Sequence, residues 1–291
     1  MPKIIFVILH YLTYEDTIEC VESITNNINY KNYEIIIVDN ASKNGSYEAI
    51  EDKFRYSEKI YIIKSNKNLG FAKGNNIGYK FAKNNLNADF IITINNDTII
   101  TERLFLDKII KKYNSFNFDI LGPDIISLKD NCMQNPLKKV IESKSEILKN
   151  IIKYLILYFL NITKIEYIKK KFIKNIHNKK ICNKETSNKK IHNKEIYNVP
   201  LHGACLIFSP SYINNFDYAF YPNTFLYVEE DILYYLSKKY KLKTIYFPEV
   251  KIYHKEDSST DFLLNTEDKK RRFIYINILK SLLKFGVLQL K

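Results

Sequence analysis

The sequence predicts a doubly wound α/β fold. Three observations carry that prediction. Short β-branched runs alternate with longer amphipathic stretches through the first 126 residues, and apolar residues recur at helical spacing between the first two runs. A chain of 291 residues that is 46% hydrophobic also has the material for one large core or two closely joined halves. In order, KIIFVIL (residues 3–9) reads as a buried strand. Ile18, Val21, Ile24 and Ile28 follow at helical spacing behind Thr13 and Asp16, either of which suits a cap. YEIIIVD (33–39), KIYIIKS (59–65) and DFIITIN (89–95) are further strands bounded by polar or turn residues. In sheets of this class ligands sit outside the carboxyl ends of the strands, which singles out Asp39-Asn40, Ser65 to Gly74 and Asn95-Asn96-Asp97.

After GPDIIS (122–127) the composition changes. From Lys138 the chain is rich in Lys, Ile and Asn, and Leu148, Ile151, Leu155, Phe159, Ile162, Ile165, Phe172 and Ile176 predict one or two basic amphipathic helices. A quasi-repeat (HNKK, CNKE, SNKK, HNKE) from His177 to Glu195 is too polar to make a core and reads as a tether. Order is expected to return with a buried strand Ala204 to Phe208 and a helix opening near Glu229. Two short strands, KTIYF and VKIYH, lie around Pro248, and a last amphipathic helix spans Phe273 to Phe285.

The charge is uneven. The whole chain carries +13, and residues 138–196, with 16 lysines against 5 glutamates, carry +11 of it. Only four basic residues are Arg, the side chain that bidentate reading of phosphate and guanine favours, so sequence-specific nucleic-acid binding is not expected. Cys20, Cys132, Cys182 and Cys205 are scattered without a CxxC pair, which fits neither a zinc site nor a dense disulfide framework. The opening apolar run, Ile4 to Leu9, is too short for a secretory leader, and no run approaches the roughly 18 residues of a spanning helix.

Several acids and amides fall where chemistry is expected. Asp39 ends a strand before a polar loop, where its carboxylate suits the N–H of a base or ribose hydroxyls; a solvated turn is the plain alternative. Residues 66–76, with Asn68, Gly70, Gly74 and Asn76, combine room for backbone approach with amides for hydroxyls, or form an ordinary Gly-rich connection. Asn95-Asn96-Asp97 has one carboxylate. His254 ends the last strand. Glu229-Glu230-Asp231 opens a helix, where the macrodipole alone favours acids, although the preceding FLYV argues for a buried start.

Together these segments resemble the family 2 glycosyltransferases of the GT-A fold, the rhamnosyltransferase-like branch in particular. The matching stretches are IIFVILHYLTYEDTIECVESI, IIIVDNASKNGS, NKNLGFAKGNNIGYKFA with ADFIITINNDTII, and HGACLIF followed by FLYVEEDILYYL and KIYHKEDSST. The resemblance covers residues 3–126 and 199–260 and implies a Rossmann-like mixed sheet. It divides the chain into a nucleotide-sugar-binding half (1–137), a basic helical insertion (138–198), an acceptor and catalytic half (199–260) and a C-terminal amphipathic helix (261–291).

What the resemblance implies for single residues is specific. Asp39 and Asn40, with Asn68, Gly70, Asn76, Asn95, Asn96 and Asp97, would bind the nucleotide sugar. Asp97 and His254 would hold a divalent cation on the donor diphosphate, manganese rather than magnesium if the imidazole is a ligand. Glu230 would take the acceptor's proton, with Glu229 and Asp231 as the alternative registers.

The activity so implied is inverting transfer of a hexose or deoxyhexose from a nucleotide diphosphate sugar to a hydroxyl of a surface polysaccharide or lipid-linked precursor. The basic insertion suggests an anionic membrane surface as partner and a cytoplasmic enzyme held peripherally on the cell membrane. The same helix also suits packing on the body or on a second subunit, so an oligomer is the alternative. Two rival readings are a sugar nucleotidyltransferase and a non-catalytic membrane-surface adaptor. The first needs a basic, Gly-rich loop after the first strand, where this chain has His10-Tyr11-Leu12-Thr13; the acid clusters speak against the second.

Overall fold

The computed structural model describes residues 1–164, 194–256 and 266–290. Its centre is a mixed sheet in the order β3-β2-β1-β4-β8-β6-β9-β5, with β7 (Ile196–Tyr197) added on β9. Strands β1 (Ile4–His10), β2 (Tyr33–Asp39), β3 (Ile60–Lys64) and β4 (Phe90–Asn95) run parallel, joined by helices α1 (Tyr14–Asn27), α2 (Ser46–Phe54) and α3 (Gly70–Asn84). After the two-residue β5 (Thr98–Ile99), α4 (Phe105–Ser115) leads into β6 (Ile120–Ser127). β8 (Cys205–Phe208) lies antiparallel between β4 and β6, and β9 (Thr244–His254) runs parallel to β6.

The central strands are apolar at nearly every position because both faces of the sheet are covered. Ile4, Phe6 and Ile8 of β1 pack with Val21 and Ile24 of α1 and Leu106 and Ile109 of α4. The alternate residues Ile5 and Val7 face the other layer, with Ala72, Tyr79 and Ala82 of α3. Each fully buried branched side chain contributes roughly 1.5–3 kcal/mol, so this double layer supplies the main driving force for the fold. α3 lies close on the sheet: a Cβ on Gly74 would stand 2.5 Å from Leu9 Cδ1, and one on Gly78 2.4 Å from Val7 Cγ1.

Three features depart from the sequence expectation. KTIYF and VKIYH form one strand, β9, with a bulge where the register jumps from Pro123↔Phe247 to Asp124↔Lys251. The bulge absorbs Pro248, which has no N–H to give a ladder. β6, which is not among the expected strands, passes through Gly122-Pro123; on this strand the ladder to β8 covers Ile120 and Leu121 and stops before the proline. The 66–76 stretch is a loop only to Leu69, because α3 starts at Gly70.

The remaining helices form a third layer. α6 (Pro210–Asn215) and α7 (Glu229–Lys239) follow β8, and α5 (Lys144–Ile162) pairs with α8 (Glu267–Leu288), longer than the expected helix from Phe273. α5 starts at a capping box: Ser143 Oγ accepts from the Glu146 N–H at 3.2 Å, and Glu146 Oε2 accepts from the Ser143 N–H at 3.2 Å. Ile147 of α5, Leu282 and Phe285 of α8, and Ile232 and Leu236 of α7 share a small apolar core. Ile165, Phe172, Ile176, the repeat from His177 to Asn193, and residues 257–260 of KIYHKEDSST lie outside the described residues. Among those described, no helix is long and apolar enough to cross a membrane.

Candidate active site

Parallel pairing puts the ends of β1, β2 and β4 at one edge, with His10 beside Asp39 in register. Asp39 is buried, and both carboxylate oxygens accept from the Ser42 N–H, at 3.2 and 3.3 Å. Burial pushes its carboxyl up; the Ser42 hydrogen bonds and the Lys64 charge oppose this. His10 is also buried, its Nδ1 2.8 Å from Thr17 Oγ1 and its Nε2 2.9 Å from Ser46 Oγ. Burial lowers it to about 4, so it is neutral at pH 7 and its Nε2, 3.8 Å from Asp39 Oδ1, makes no ion pair.

The amides singled out from sequence brace the protein. Asn40 Nδ2 donates to Asn68 Oδ1 at 3.1 Å and to the Gly70 carbonyl at 3.2 Å, while Asn40 Oδ1 accepts from the Leu69 N–H at 2.8 Å. This clasp sets the loop beside Asp39. Gly70 has φ +77°, and a Cβ there would stand 2.0 Å from the Phe225 carbonyl oxygen, so only glycine permits the approach. Asn76 lies within α3, its Nδ2 donating to the Phe220 carbonyl at 2.7 Å and its Oδ1 accepting from the Ala219 and Phe220 N–H groups. Asn96 Nδ2 turns back to α1, 3.0 Å from both Thr13 Oγ1 and Thr17 Oγ1. Asn95 ends β4 half-buried, with its carbonyl accepting from Thr98 Oγ1 at 2.7 Å.

Asp97 and His254 meet. β5 pairs antiparallel with β9, Thr98 against His254, and this register sets His254 Nε2 3.2 Å from Asp97 Oδ1. His254 Nδ1 lies 2.8 Å from Gln134 Oε1, an acceptor, so Nδ1 donates to the amide while Nε2 faces the Asp97 carboxylate. His202 stands beside this pair, ring centroids 5.9 Å apart. Burial lowers the His202 imidazole, against the opposing pull of Glu230. Among the described residues no group of three or more His, Cys, Asp or Glu side chains forms a ready metal cage.

The acidic triplet at the start of α7 divides three ways. Val228, at φ 70°, turns the chain into the helix. Glu229 is buried, one carboxylate oxygen has no hydrogen-bond partner, and burial pushes its carboxyl well above the usual range. Asp231 caps the approach to α5, its Oδ1 accepting from the Ile141 N–H at 2.5 Å. Glu230 is half-buried and faces Gly203, whose N–H donates to Glu230 Oε1 at 3.3 Å. A Cβ on Gly203 would stand 3.0 Å from that oxygen, so the glycine keeps room for the carboxylate.

Asp231 supports a prediction about pH. Burial raises its carboxyl to about 6, above the roughly 3.9 of an unfolded Asp, so between these values the folded state binds more protons. Its contribution to stability is therefore greatest in acid and declines as pH rises to 6. Asp231→Asn keeps an oxygen for Ile141 and removes the titration. The melting temperature of the variant relative to the parent is expected to rise between pH 4 and pH 6.5; a difference independent of pH would show that this carboxyl is unperturbed.

The structure thus brings Asp39, Asp97, His254 and Glu230 to one edge. Sequence reasoning left out His10, Gln134 and His202. His202 precedes β8, and because β8 is antiparallel its beginning lies at the edge where the parallel strands end.

Residues 5–178 match the sequence model of the family described as Glycosyl transferase family 2. No curated protein matches the chain in sequence. In fold it is similar to crystal structures of S. aureus TarS. TarS 1-349 in complex with UDP is 13% identical with a TM-score of 0.53, over 94% of this chain and 65% of that one. TarS 1-349 is 13% identical with a TM-score of 0.53, over 95% and 70%. A third, TarS, is 13% identical with a TM-score of 0.54, over 92% of this chain and 41% of its own length. The chain therefore spans less than two thirds of two of these relatives, and at this identity the likeness is one of fold.

Proposed function

The chain belongs to glycosyl transferase family 2, and on that premise we propose that it moves a hexose or deoxyhexose from a nucleotide diphosphate sugar to an acceptor hydroxyl, with inversion. The observation that carries this reading is the edge just described: Asp97 against His254, with Glu230 turned toward the same end of the sheet. In the proposed mechanism Asp39 accepts from the nucleotide's base or ribose. The acceptor oxygen attacks the anomeric carbon as the bond to the diphosphate breaks, and Glu230 takes the hydroxyl proton. Without that base an alcohol is a poor nucleophile. Glu229, buried with its carboxyl pushed up by that burial, and Asp231, bound to the Ile141 N–H, are less suited.

The Asp97–His254 pair suits a divalent cation. His254 Nδ1 is taken up by Gln134 Oε1, so Nε2 and the Asp97 carboxylate oxygen, 3.2 Å apart, are the two adjacent atoms that a shared cation could use. Manganese, or magnesium, would there neutralise charge on the departing diphosphate. The two side chains supply part of a shell, leaving the rest to diphosphate oxygens and water.

For the donor base uracil is the first to test, since the similar TarS structure carries UDP. The acceptor we propose is a surface polysaccharide or a lipid-linked precursor, reached from the inner face of the cell membrane. A thermal-shift panel of nucleotide sugars with manganese checks the donor: at 100 times its dissociation constant a ligand adds about 2.7 kcal/mol of stability. A melting temperature that no nucleotide sugar moves, with manganese or magnesium, would remove the transferase reading. A shift confined to nucleoside triphosphates would favour the nucleotidyltransferase.

A further inference from the structure

We propose that the outer face of α5 is a docking surface for an anionic lipid bilayer, which α5 enters lying in the plane of the headgroups. The apolar residues of this helix fall into two groups. Ile147, Ile151 and Tyr154 turn inward to the core shared with α7 and α8. Leu148, Ile152, Leu155, Ile156, Phe159 and Ile162 turn outward, at 47–63% exposure. The outward set is spaced i, i+4, i+7, i+8, i+11 and i+14, a single stripe along the whole helix. Scattered exposed leucines are ordinary on any protein, but six large apolar side chains aligned on one helix form a continuous patch of the kind that marks an interaction surface.

The charge around the stripe selects the partner. Lys149 and Lys153 each follow a stripe residue directly, Lys144 precedes it by one turn, and all are exposed. Residues 138–164 hold six lysines against two glutamates. Both glutamates are engaged, Glu142 with Lys238 and Glu146 in the capping box. A second copy docked on a two-fold axis would set these lysines against their own equivalents, and an apolar groove alone would give them nothing. An anionic bilayer satisfies both features at once: the Leu, Ile and Phe side chains sink to the acyl boundary while the lysine ammonium groups remain among the phosphates. Lys149 and Lys153 in mid-helix also exclude a spanning orientation.

The position of α5 gives the docking its sense, which rests on the transferase reading above. Ile147 on the inner side of α5 shares a core with Ile232 and Leu236 of α7, the Ile141 N–H just before α5 donates to Asp231, and α7 begins with the acids that include Glu230. One helix layer therefore separates the bilayer-facing stripe from the helix that carries the proposed base, which holds the site at a fixed height above a lipid-linked acceptor.

The test is cosedimentation of the full chain with vesicles of phosphatidylcholine alone or with 30% phosphatidylglycerol, across a salt series, in the absence of donor. The expected result is binding to the anionic vesicles only, weakening with salt. Leu148→Gln/Leu155→Gln/Phe159→Gln leaves every lysine in place, including those of residues 165–193, and is expected to lower the partition coefficient at least tenfold. Lys149→Gln/Lys153→Gln should lower it about fivefold per lysine at low salt. All of these side chains are exposed, so donor-induced thermal shifts should be unchanged, which separates failure of this proposal from failure of the transferase reading. Three results would overturn it: equal recovery of the intact chain in the supernatant with and without anionic vesicles; vesicle binding that survives the triple substitution; or a dimer in sedimentation velocity that the triple substitution dissociates.

Discussion

Glu230→Gln is expected to lower sugar transfer by a factor of roughly 10²–10⁴ while leaving donor affinity within about twofold. The amide has the shape of the carboxylate and keeps an oxygen for the Gly203 N–H, so the packing around it survives. It has no basic oxygen, and the acceptor hydroxyl must then be deprotonated by water. Because the lost interaction belongs to the transition state, kcat should fall with little change in the donor's KM. Titration calorimetry of the nucleoside diphosphate and single-turnover transfer check the two halves separately. Near-normal turnover in Glu230→Gln, with loss in Glu229→Gln or Asp231→Asn, would move the base by one residue.

The neighbouring acids sharpen that expectation. Glu229 is buried, away from the side on which Glu230 meets Gly203, so Glu229→Gln should leave the pH profile of transfer unmoved. Asp231 holds the Ile141 N–H, and Asp231→Asn, which keeps an oxygen for that contact, should act on stability through the lost titration. Sequence alone could not separate these three, since any acid in a first helical turn is favoured by the same macrodipole. What separates them is the direction each side chain takes from its helical position: into the core, toward Gly203, or toward the start of α5.

Elsewhere the sequence was more legible. Strands β1, β2 and β4 are legible from their apolar runs because both faces of the sheet are buried there, which leaves few polar interruptions to confuse the pattern; the edge strand β3 is only half-buried but keeps the run Ile60 to Ile63. β6 is less legible because Gly122-Pro123 interrupts its apolar run, and the strand continues through the pair where its ladder to β8 stops. Pro248 split β9 in the same way, where the fold answers with a bulge. Among candidate ligands, amides were the least informative. Asn76 and Asn96 offer the same groups to the backbone, to Thr13 and Thr17, or to a sugar, and the choice depends on what lies opposite in space. His202 could have been found by noting that a strand running backwards brings its beginning, not its end, to the ligand edge.

Asp97→Asn is expected to abolish the manganese dependence of donor binding while leaving the fold intact. Asp97 is the only carboxylate of Asn95-Asn96-Asp97, so the change removes the sole formal charge that the triplet offers a cation. The amide can still turn an oxygen toward His254, but a neutral oxygen is a far weaker ligand for a hard divalent ion than a carboxylate. The backbone there does not depend on the charge: the Asp97 carbonyl accepts from the Lys255 N–H at 2.9 Å, and β5 is held by its ladder to β9. Stability should therefore be near that of the parent, whereas nucleoside diphosphate affinity with manganese should fall to the metal-free value. His254→Gln should weaken the same dependence less, because it removes the imidazole and leaves the carboxylate. Calorimetric titrations with and without metal read both variants. Metal-dependent affinity unchanged in Asp97→Asn would mean that the cation, if bound, is held by the donor and other groups, and that the Asp97–His254 pair is a hydrogen-bonded tie between β5 and β9.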